Sequence, residues 1–404
     1  MRLRAVVIKR SVGRLKLFHL RSSYHVDLDE RAISAIEGAL SGGDRGSGTG
    51  LRLVERLERR GLVEDGEFEP IPRRAASDLV WLEVEPVGRC NLACRHCFAR
   101  FSGVEMPESV FEAVLRGALE LGAVEISFNG GEPLLHPACV EWIERASSEG
   151  LRTVLFTNGT TVSASVAARL AAARPARVNV SLDGFEEAHD ALRGQGAYVL
   201  AVAGIRQLVA AGNRVFVTTV VHPGNEASLV EFRRFCKEQL GVLGLRVSTV
   251  SPMGRAAGEP SLLMEPGRVR DTYDALPDEH EIRDPPPGLL PCLAGVDKLY
   301  VSAGGRVSGC HFFETVGQEL GRLPERSLEQ VYHSSRDRRS CPTLFDFSLG
   351  ALGDCLGCPA FGRCRGGCRA RAWSITGDRA GPDPVSCHKW GVPVPGRRGE
   401  SPRG

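Results

Sequence analysis

The sequence lacks a strong excess of charge of either sign. Its 404 residues carry 51 Lys and Arg against 49 Asp and Glu, which gives a formal net charge of +2. A field that recruits nucleic acid or an anionic membrane surface needs many more charges of one sign. We therefore expect neither nucleic acid nor membrane as a partner.

Long apolar runs are missing as well. The opening stretch MRLRAVVIKRSVGR places charges among its apolar residues, whereas a secretory signal needs a continuous apolar core. No run approaches the ~18 apolar residues of a membrane-spanning helix. We expect a cytoplasmic protein, in which thiols stay reduced and clustered cysteines more often bind metal than form disulfides.

Cysteine, in contrast, is abundant. Most of the 13 cysteines fall into two groups, at residues 90–97 and in the carboxy-terminal part of the chain. Cys139, Cys236 and Cys341 are scattered. The first two lie within predicted helices, so we expect them to be buried apolar residues rather than ligands.

The region 78–255 alternates between strand and helix patterns. The predicted strands are 78–86, 123–129, 151–157, 176–182, 213–221 and 245–252, and the predicted helices are 107–122, 136–150, 162–174, 197–212 and 226–241. This alternation predicts an α/β fold of right-handed parallel units, a partial (β/α)6 barrel similar to a TIM barrel.

The segments outside 78–255 have sequence patterns that predict other kinds of structure. Residues 1–77 have the pattern of a small winged-helix-like domain, with strands in 14–20 and 22–28 and helices at 29–40 and 50–61. Residues 256–288 form a bridge rich in proline and acidic groups. Residues 289–392 form a cysteine-rich domain in which metal replaces apolar packing, and 393–404 form a disordered tail.

The first cysteine group has the spacing C-x3-C-x2-C, formed by Cys90, Cys94 and Cys97. It directly follows the first barrel strand, where loops form the active face of such barrels. A structural zinc site needs four ligands, whereas three thiolates suit a cubane iron-sulfur cluster with one iron free of protein ligands. A zinc ion completed by His96 is the alternative.

With Phe98 after its last cysteine, this loop resembles that of the radical S-adenosylmethionine (SAM) superfamily. The resemblance implies that Cys90, Cys94 and Cys97 hold a 4Fe-4S cluster and that SAM chelates its fourth iron. An external donor such as flavodoxin or ferredoxin would supply an electron. Cleavage of SAM would then release methionine and a 5′-deoxyadenosyl radical that abstracts hydrogen from the substrate.

Motifs after later strands also resemble this superfamily. Gly130, Gly131, Glu132 and Pro133 follow the second strand, where glycines let the backbone approach a ligand and Glu132 can accept from the SAM ammonium. Asn158 belongs to a T-N-G turn after the third strand, which is typical of the family but also of a simple turn.

The fourth strand ends in an S-x-D-G motif containing Ser181 and Asp183, followed by an H-D-x-x-R-G motif containing Arg193. The resemblance implies that Ser181 contacts the carboxylate or ribose of SAM and that Arg193 pairs with the carboxylate. An ion pair between Arg193 and Asp190 is the alternative. A P-x-G-R-A turn at 252–256 is expected near the adenine.

Seven carboxy-terminal cysteines closely resemble the SPASM extension of radical SAM enzymes, which carries two auxiliary 4Fe-4S clusters; zinc ribbons are the alternative. The resemblance assigns the first cluster to Cys292, Cys310 and Cys368 and the second to Cys355, Cys358, Cys364 and Cys387. An open iron, Cys341 or a substrate thiolate would complete the first cluster. Cys292 and Cys310 flank a predicted hairpin that turns at Gly304–Gly305.

These features favour an oxidative reaction in which the auxiliary clusters accept an electron while a base accepts a proton. His311 is the candidate catalytic base, with His189, Asp190 and Glu314 as alternatives. The amino-terminal segment resembles the domain with which ribosomal-peptide maturases bind a leader peptide by strand addition.

We therefore expect a radical SAM/SPASM enzyme that modifies a ribosomally made precursor peptide by forming a thioether or carbon-carbon cross-link. The alternatives are a sulfatase-maturase-like protein oxidase, a small-molecule radical SAM dehydrogenase, and, outside enzymes, a zinc-binding scaffold.

Overall fold

The computed structural model describes residues 77–265, 268–276, 292–336 and 352–394, together with the backbone of six short strands before them. The two helices predicted within 29–61 and the last ten residues of the chain, which hold most of the predicted tail, lie outside the described residues. Cys341 lies outside them too.

The amino-terminal strands form two small sheets. Strand β1 (Arg2–Leu3) pairs antiparallel with β5 (Val63–Glu64). A second sheet has the order β4-β3-β2-β6, and its strands are β2 (Val6–Ser11), β3 (Arg14–His19), β4 (His25–Leu28) and β6 (Arg73–Arg74). The sequence predicted β3 and β4 but missed β2. The winged-helix-like description stays a prediction.

Six parallel strands form the centre of the molecule and lie side by side in chain order. They are β7 (Trp81–Val84), β8 (Glu125–Phe128), β9 (Arg152–Thr157), β10 (Arg177–Ser181), β11 (Val215–Val221) and β12 (Gly244–Thr249). This confirms the predicted α/β fold. Because the strands are parallel, their carboxyl ends share one edge, and the loops that follow them meet there.

Helices connect the successive strands of this sheet. They are α1 (Glu108–Glu120), α2 (Cys139–Ser148), α3 (Ala164–Ala173), α4 (Glu186–Arg193), α5 (Ala197–Ala210) and α6 (Leu229–Glu238). Cys139 and Cys236 are fully buried in the core, as predicted. The sequence did not predict helix α4, because its eight residues are mostly polar and overlap the H-D-x-x-R-G motif.

The sheet does not end at β7. Strand β13 (Lys298–Val301) pairs in parallel with β7, and β14 (Arg306–Ser308) and β15 (Gly321–Arg322) continue the sheet antiparallel to it. The β13–β14 hairpin turns at the predicted glycines, and Gly305 has φ +79°. Its addition to β7 was not predicted, and it brings the cysteine-rich region directly beside the barrel.

Short helices complete the described part of the chain. They are α7 (Arg268–Asp274), α8 (His311–Thr315), α9 (Leu328–Arg336), α10 (Gly353–Leu356), α11 (Phe361–Cys364), α12 (Arg369–Thr376) and α13 (Pro384–Lys389). In the ranges that the structure describes, no helix is long and apolar enough to cross a bilayer.

Candidate active site

The three-cysteine loop lies between β7 and α1, at the carboxyl end of the parallel strands. Cys94 is buried, and Cys90 and Cys97 are half-buried. Burial raises the pKa of all three thiols. A nearby cation would reverse this effect, because it stabilises the thiolate.

Glycines let two neighbouring loops approach the cysteine loop closely. A Cβ atom on Gly131 would lie 2.0 Å from the carbonyl oxygen of Arg89, and the next amide, of Glu132, donates to that oxygen at 3.0 Å. On the other side, Gly254 has φ +57°, and its Cβ would lie 2.6 Å from the carbonyl oxygen of Phe98. The loops after β8 and β12 therefore hold the cysteine loop between them.

The Glu132 side chain is fully buried and joins two of the predicted motifs. Its carboxylate accepts hydrogen bonds from Thr157 Oγ1 at 2.7 Å, the Asn158 amide at 2.7 Å and the Leu134 amide at 3.2 Å. Burial raises its pKa. Glu132 thus fixes the turn after β8 to the turn after β9, and its role as an ammonium acceptor stays a prediction.

Asn158 contacts the cysteine loop. Its Nδ2 donates to Asn91 Oδ1 at 2.8 Å and lies 3.7 Å from Cys90 Sγ. Its Oδ1 accepts from the amide and the hydroxyl of Thr160. The T-N-G motif is therefore more than a simple turn, because it supports the loop that carries the thiols.

Arg193 connects the fourth strand end to the second cysteine. Its Nε lies 2.5 Å from Asp183 Oδ2, and its Nη1 lies 3.9 Å from Cys94 Sγ. Burial alone would raise the pKa of Asp183, but Arg193 and two histidines hold it at about 2. Burial opposes the charge of Arg193, yet Asp183 and Cys94 raise its pKa above the usual range.

The partner of Arg193 is thus Asp183 and not Asp190, the alternative that the sequence suggested. Asp190 instead accepts from the amides of Gly196 at 2.6 Å and Tyr198 at 2.8 Å, which fixes the start of α5. Ser181 is half-buried at the carboxyl end of β10.

His96 faces Arg193 rather than an open metal position. Its Nε2 lies 3.5 Å from Arg193 Nη2, and because a guanidinium only donates, this nitrogen is the acceptor. Burial, together with Arg193, lowers the pKa of His96 to about 4. Within the described ranges, no three His, Cys, Asp or Glu side chains are arranged to hold a metal ion.

The residues of the loop fit a cubane cluster. Each cysteine of a cubane binds its own iron, so the sulfurs lie farther apart than the ligands of one zinc ion. Arg193 places positive charge next to Cys94, and Asn158 Nδ2 points to Cys90. Positive charge and N–H donors stabilise a negatively charged thiolate-bound cluster.

Four of the carboxy-terminal cysteines line one cavity of ≈ 300 Å³, which includes its opening to solvent. They are Cys355, Cys358, Cys364 and Cys387, the set that the resemblance assigned to the second auxiliary cluster. Phe361, Gly366, Asp383 and Val392 complete the lining. Four thiols around one cavity are the ligand set that a 4Fe-4S cluster needs.

The other three cysteines lie together in a separate apolar cluster. Cys292, Cys310 and Cys368 pack with Phe313 and Ala370. Burial raises the pKa of Cys292 to about 11, with a further contribution from Cys368. The structure thus separates the seven thiols into four and three, and metal binding at both groups stays a prediction.

His311 begins α8, and its imidazole is anchored by a carboxylate. Its Nδ1 lies 2.8 Å from Glu83 Oε2, and Glu83 Oε1 lies 3.4 Å from Lys298 Nζ. Burial alone would raise the pKa of Glu83, but His311 and Lys298 lower it to about 2. The ring centroids of His311 and Phe98 are 5.1 Å apart, so this imidazole contacts the cysteine loop.

The sequence analysis missed Glu83 and Lys298. The available signal was a charged residue in the otherwise apolar strand WLEV. Two of the three alternative candidates for the catalytic base are engaged in hydrogen bonds. His189 Nδ1 accepts a hydrogen bond from the Asp183 amide, and Glu314 Oε2 accepts one from Ser308 Oγ. Asp190 is engaged at the start of α5, as described above.

Thiols at the carboxyl ends of parallel strands, held by the loops that follow those strands, are the arrangement that the resemblance to radical SAM enzymes implies. Residues 84–236 match the family model "Radical SAM superfamily". The chain therefore contains a radical SAM domain, and it is an enzyme rather than a scaffold.

Two curated relatives and one solved structure illustrate the similarity. The AdoMet-dependent heme synthase of Nitratidesulfovibrio vulgaris is 27% identical over 339 residues, which are 74% of this chain and 90% of the relative. The mycofactocin maturase MftC of Mycolicibacterium smegmatis is 28% identical over 366 residues, 85% of this chain and 88% of the relative.

The structure is that of Streptococcus suis SuiB bound to its precursor peptide SuiA. Superposition of the present structure on SuiB gives a TM-score of 0.67 at 16% sequence identity. The alignment covers 95% of this chain and 98% of SuiB. At this identity the likeness shows the fold alone.

Proposed function

We propose that this protein is a radical SAM maturase that oxidatively modifies a ribosomally made precursor peptide by forming a thioether or carbon-carbon cross-link. The observation that carries the proposal is the similarity to the mycofactocin maturase MftC over 85% of this chain, and the fold likeness to SuiB over 95% of the chain agrees with it. The mycofactocin maturases support it, because their match covers more of this chain than the match to the heme synthase does.

The amino-terminal sheet is the proposed binding site for the leader peptide. Among the described strands, β4 pairs with β3 alone, so its other edge carries backbone groups that an extended peptide can pair with.

The cysteine loop is the proposed site of the first cluster, with Cys90, Cys94 and Cys97 as its ligands. When this cluster and SAM are bound, they supply the radical that removes a hydrogen atom from the substrate. Around them, Arg193 and Asn158 keep the loop in place. The proposed SAM contacts are Gly130, Gly131, Glu132, Pro133, Asn158, Ser181, Asp183 and Arg193.

The two carboxy-terminal cysteine groups are the proposed sites of two auxiliary clusters, which accept the electron left on the substrate carbon. His311 is the proposed acceptor of the accompanying proton. The Nδ1–H of His311 donates a hydrogen bond to the Glu83 carboxylate. The lone pair on Nε2 is therefore free to act as a base. With its side chain 29% exposed, His311 is accessible to a substrate beside the cysteine loop.

Two measurements test the proposal. Anaerobically reconstituted protein should carry about twelve irons for three cubanes, and with a strong reductant it should convert SAM to 5′-deoxyadenosine. Co-expression with a short precursor encoded in an adjacent reading frame should give a peptide that has lost two hydrogens. Zinc in place of iron, or SAM cleavage without any change to the peptide, would contradict it.

A small-molecule substrate is the second candidate, and the heme-synthase relatives favour it. The two candidates differ in what accelerates SAM cleavage. A peptide maturase should respond to the precursor peptide and not to a porphyrin, whereas a heme-type enzyme should show the reverse.

A further inference from the structure

Arg369 is fully buried and has no carboxylate partner among the residues that the structure describes. It begins α12, directly after Cys368. Its Nη1 donates to the carbonyl oxygens of Arg379 at 3.0 Å and Gly381 at 2.7 Å. Its Nε and Nη2 find no hydrogen-bond acceptor in the described part of the chain. A guanidinium is always charged and is seldom buried unpaired.

The unpartnered Nη2 of this guanidinium lies next to the wall of the four-cysteine cavity. Gly366 lines that cavity, and a Cβ atom built on Gly366 would lie 3.1 Å from Arg369 Nη2. Burial raises the pKa of Cys355, but the charge of Arg369 counteracts this increase. The charge of Arg369 also counteracts the rise in the pKa of Cys292 in the other group.

The one carboxylate in the cavity lining already has a cation of its own. Asp383 Oδ2 lies 2.6 Å from Arg371 Nη2 and accepts from the Cys368 amide at 2.8 Å. Arg371 therefore neutralises Asp383. The charge of Arg369 is left without a balancing anion among the described residues, and its Nη2 lies next to Gly366 in the wall of the four-cysteine cavity.

We propose that Arg369 is the counter-charge of a 4Fe-4S cluster held by Cys355, Cys358, Cys364 and Cys387, and that its Nε and Nη2 donate hydrogen bonds to the sulfur atoms of that cluster. This inference rests on the proposed function. Net charge and hydrogen bonds to sulfur set the potential of such clusters. Arg369 therefore stabilises the reduced state and makes the cluster a better electron acceptor.

The test is a redox titration of the reconstituted full-length chain, followed by electron paramagnetic resonance. Arg369→Met removes the charge and keeps an apolar side chain of similar reach, so the midpoint potential of one auxiliary cluster should become more negative. Arg369→Lys keeps the charge and should recover part of the shift. Arg116→Met, which removes an exposed charge on α1, is the matched control and should leave all potentials unchanged.

Unchanged potentials in an Arg369→Met variant that carries its full iron would overturn the inference. Should that variant not fold, wild-type protein labelled with ¹⁵N-arginine provides a second measurement. Pulsed resonance of the reduced auxiliary cluster should detect ¹⁵N coupling that is absent from Arg369→Lys. No such coupling in the wild type also overturns it.

Failure of the proposed function looks different in these experiments. A wild-type protein that binds zinc, or iron for a single cluster, refutes the auxiliary clusters and this inference together. A wild type with about twelve irons and an Arg369→Met variant with identical potentials refutes only the role of Arg369.

Discussion

Arg193 joins the carboxylate of Asp183, 2.5 Å from its Nε, to the sulfur of Cys94, 3.9 Å from its Nη1. Asp183 is fully buried and also accepts from the Val220 amide at 2.7 Å. One ion pair thus fixes the loop after β10 to the proposed cluster site and to β11.

Replacement of Asp183 by asparagine should therefore be costly. Asp183→Asn keeps an acceptor for the Val220 amide but leaves Arg193 as an unpaired buried charge, which costs about 3–5 kcal/mol of the free energy of unfolding. Chemical denaturation measures the loss. Glu259→Gln is the control, because it breaks the exposed ion pair with Arg95 and should leave the stability unchanged. Equal stability of the two variants would contradict this reading of the ion pair.

Stability should fall as the pH is lowered from about 6.5 to about 4, and His189 should cause part of this fall. Burial lowers the pKa of His189 to about 4, whereas an unfolded histidine titrates near 6.5. In this window the unfolded chain binds the proton and the folded chain does not. The linked loss is roughly 3 kcal/mol at pH 4.

His189→Asn tests this pH dependence, because its Oδ1 can accept from the Asp183 amide in place of the imidazole Nδ1. Denaturation between pH 4 and 7 should show a flatter profile for the variant than for the wild type. Parallel profiles would exclude His189 as a source of the pH dependence.

His311→Gln should separate SAM cleavage from product formation. The variant keeps the cysteine loop and should still form 5′-deoxyadenosine, but it lacks the base and should lose at least about tenfold in modified peptide. Glu83→Gln should give a smaller loss, because the imidazole remains but is no longer oriented by a carboxylate. Mass spectrometry of the peptide and chromatography of 5′-deoxyadenosine provide the two readouts.

The exposed His333 on α9 provides the matched control. His333→Gln should leave both readouts unchanged. Equal loss of both products in His311→Gln would instead assign that residue to the support of the cysteine loop.

Gly254→Ala should disturb the cysteine loop from the side of β12. The residue has φ +57°, and its new Cβ would lie 2.6 Å from the Phe98 carbonyl oxygen, so the loop must move. Backbone strain of this kind costs about 1–3 kcal/mol. We expect weaker iron retention by the variant, measured as iron per chain after gel filtration.

Gly258→Ala is the control in the same segment, since a Cβ there meets nothing within 4 Å. It should retain iron like the wild type. If the two alanine variants retain equal iron, the close approach of Gly254 has no role in holding the loop.

The sequence predicted the parallel barrel well, because alternating periods of two and 3.6 are local properties of each segment. The pairing of β13 with β7 is different, since it joins segments far apart in the chain and no local period encodes it. Glu83 was missed for this reason: one charge in a strand reads as solvent-facing until the neighbours that bury it, Lys298 and His311, are known.

The partner of Arg193 was also beyond sequence reasoning. Asp183 and Asp190 both lie within ten residues of it, and distance along the chain cannot choose between them. The choice follows from α4, whose carboxyl end directs the Asp190 carboxylate to the amides of the next helix. Arg193 therefore forms its ion pair with Asp183.

The pairing of β13 with β7 also limits how this chain can be dissected. A fragment that ended before residue 292 would expose the outer edge of β7, and Glu83 would lose its contacts with both Lys298 and His311 at once. Such an edge invites intermolecular pairing and aggregation. The barrel and its cysteine-rich extension must therefore be expressed together as a single folding unit.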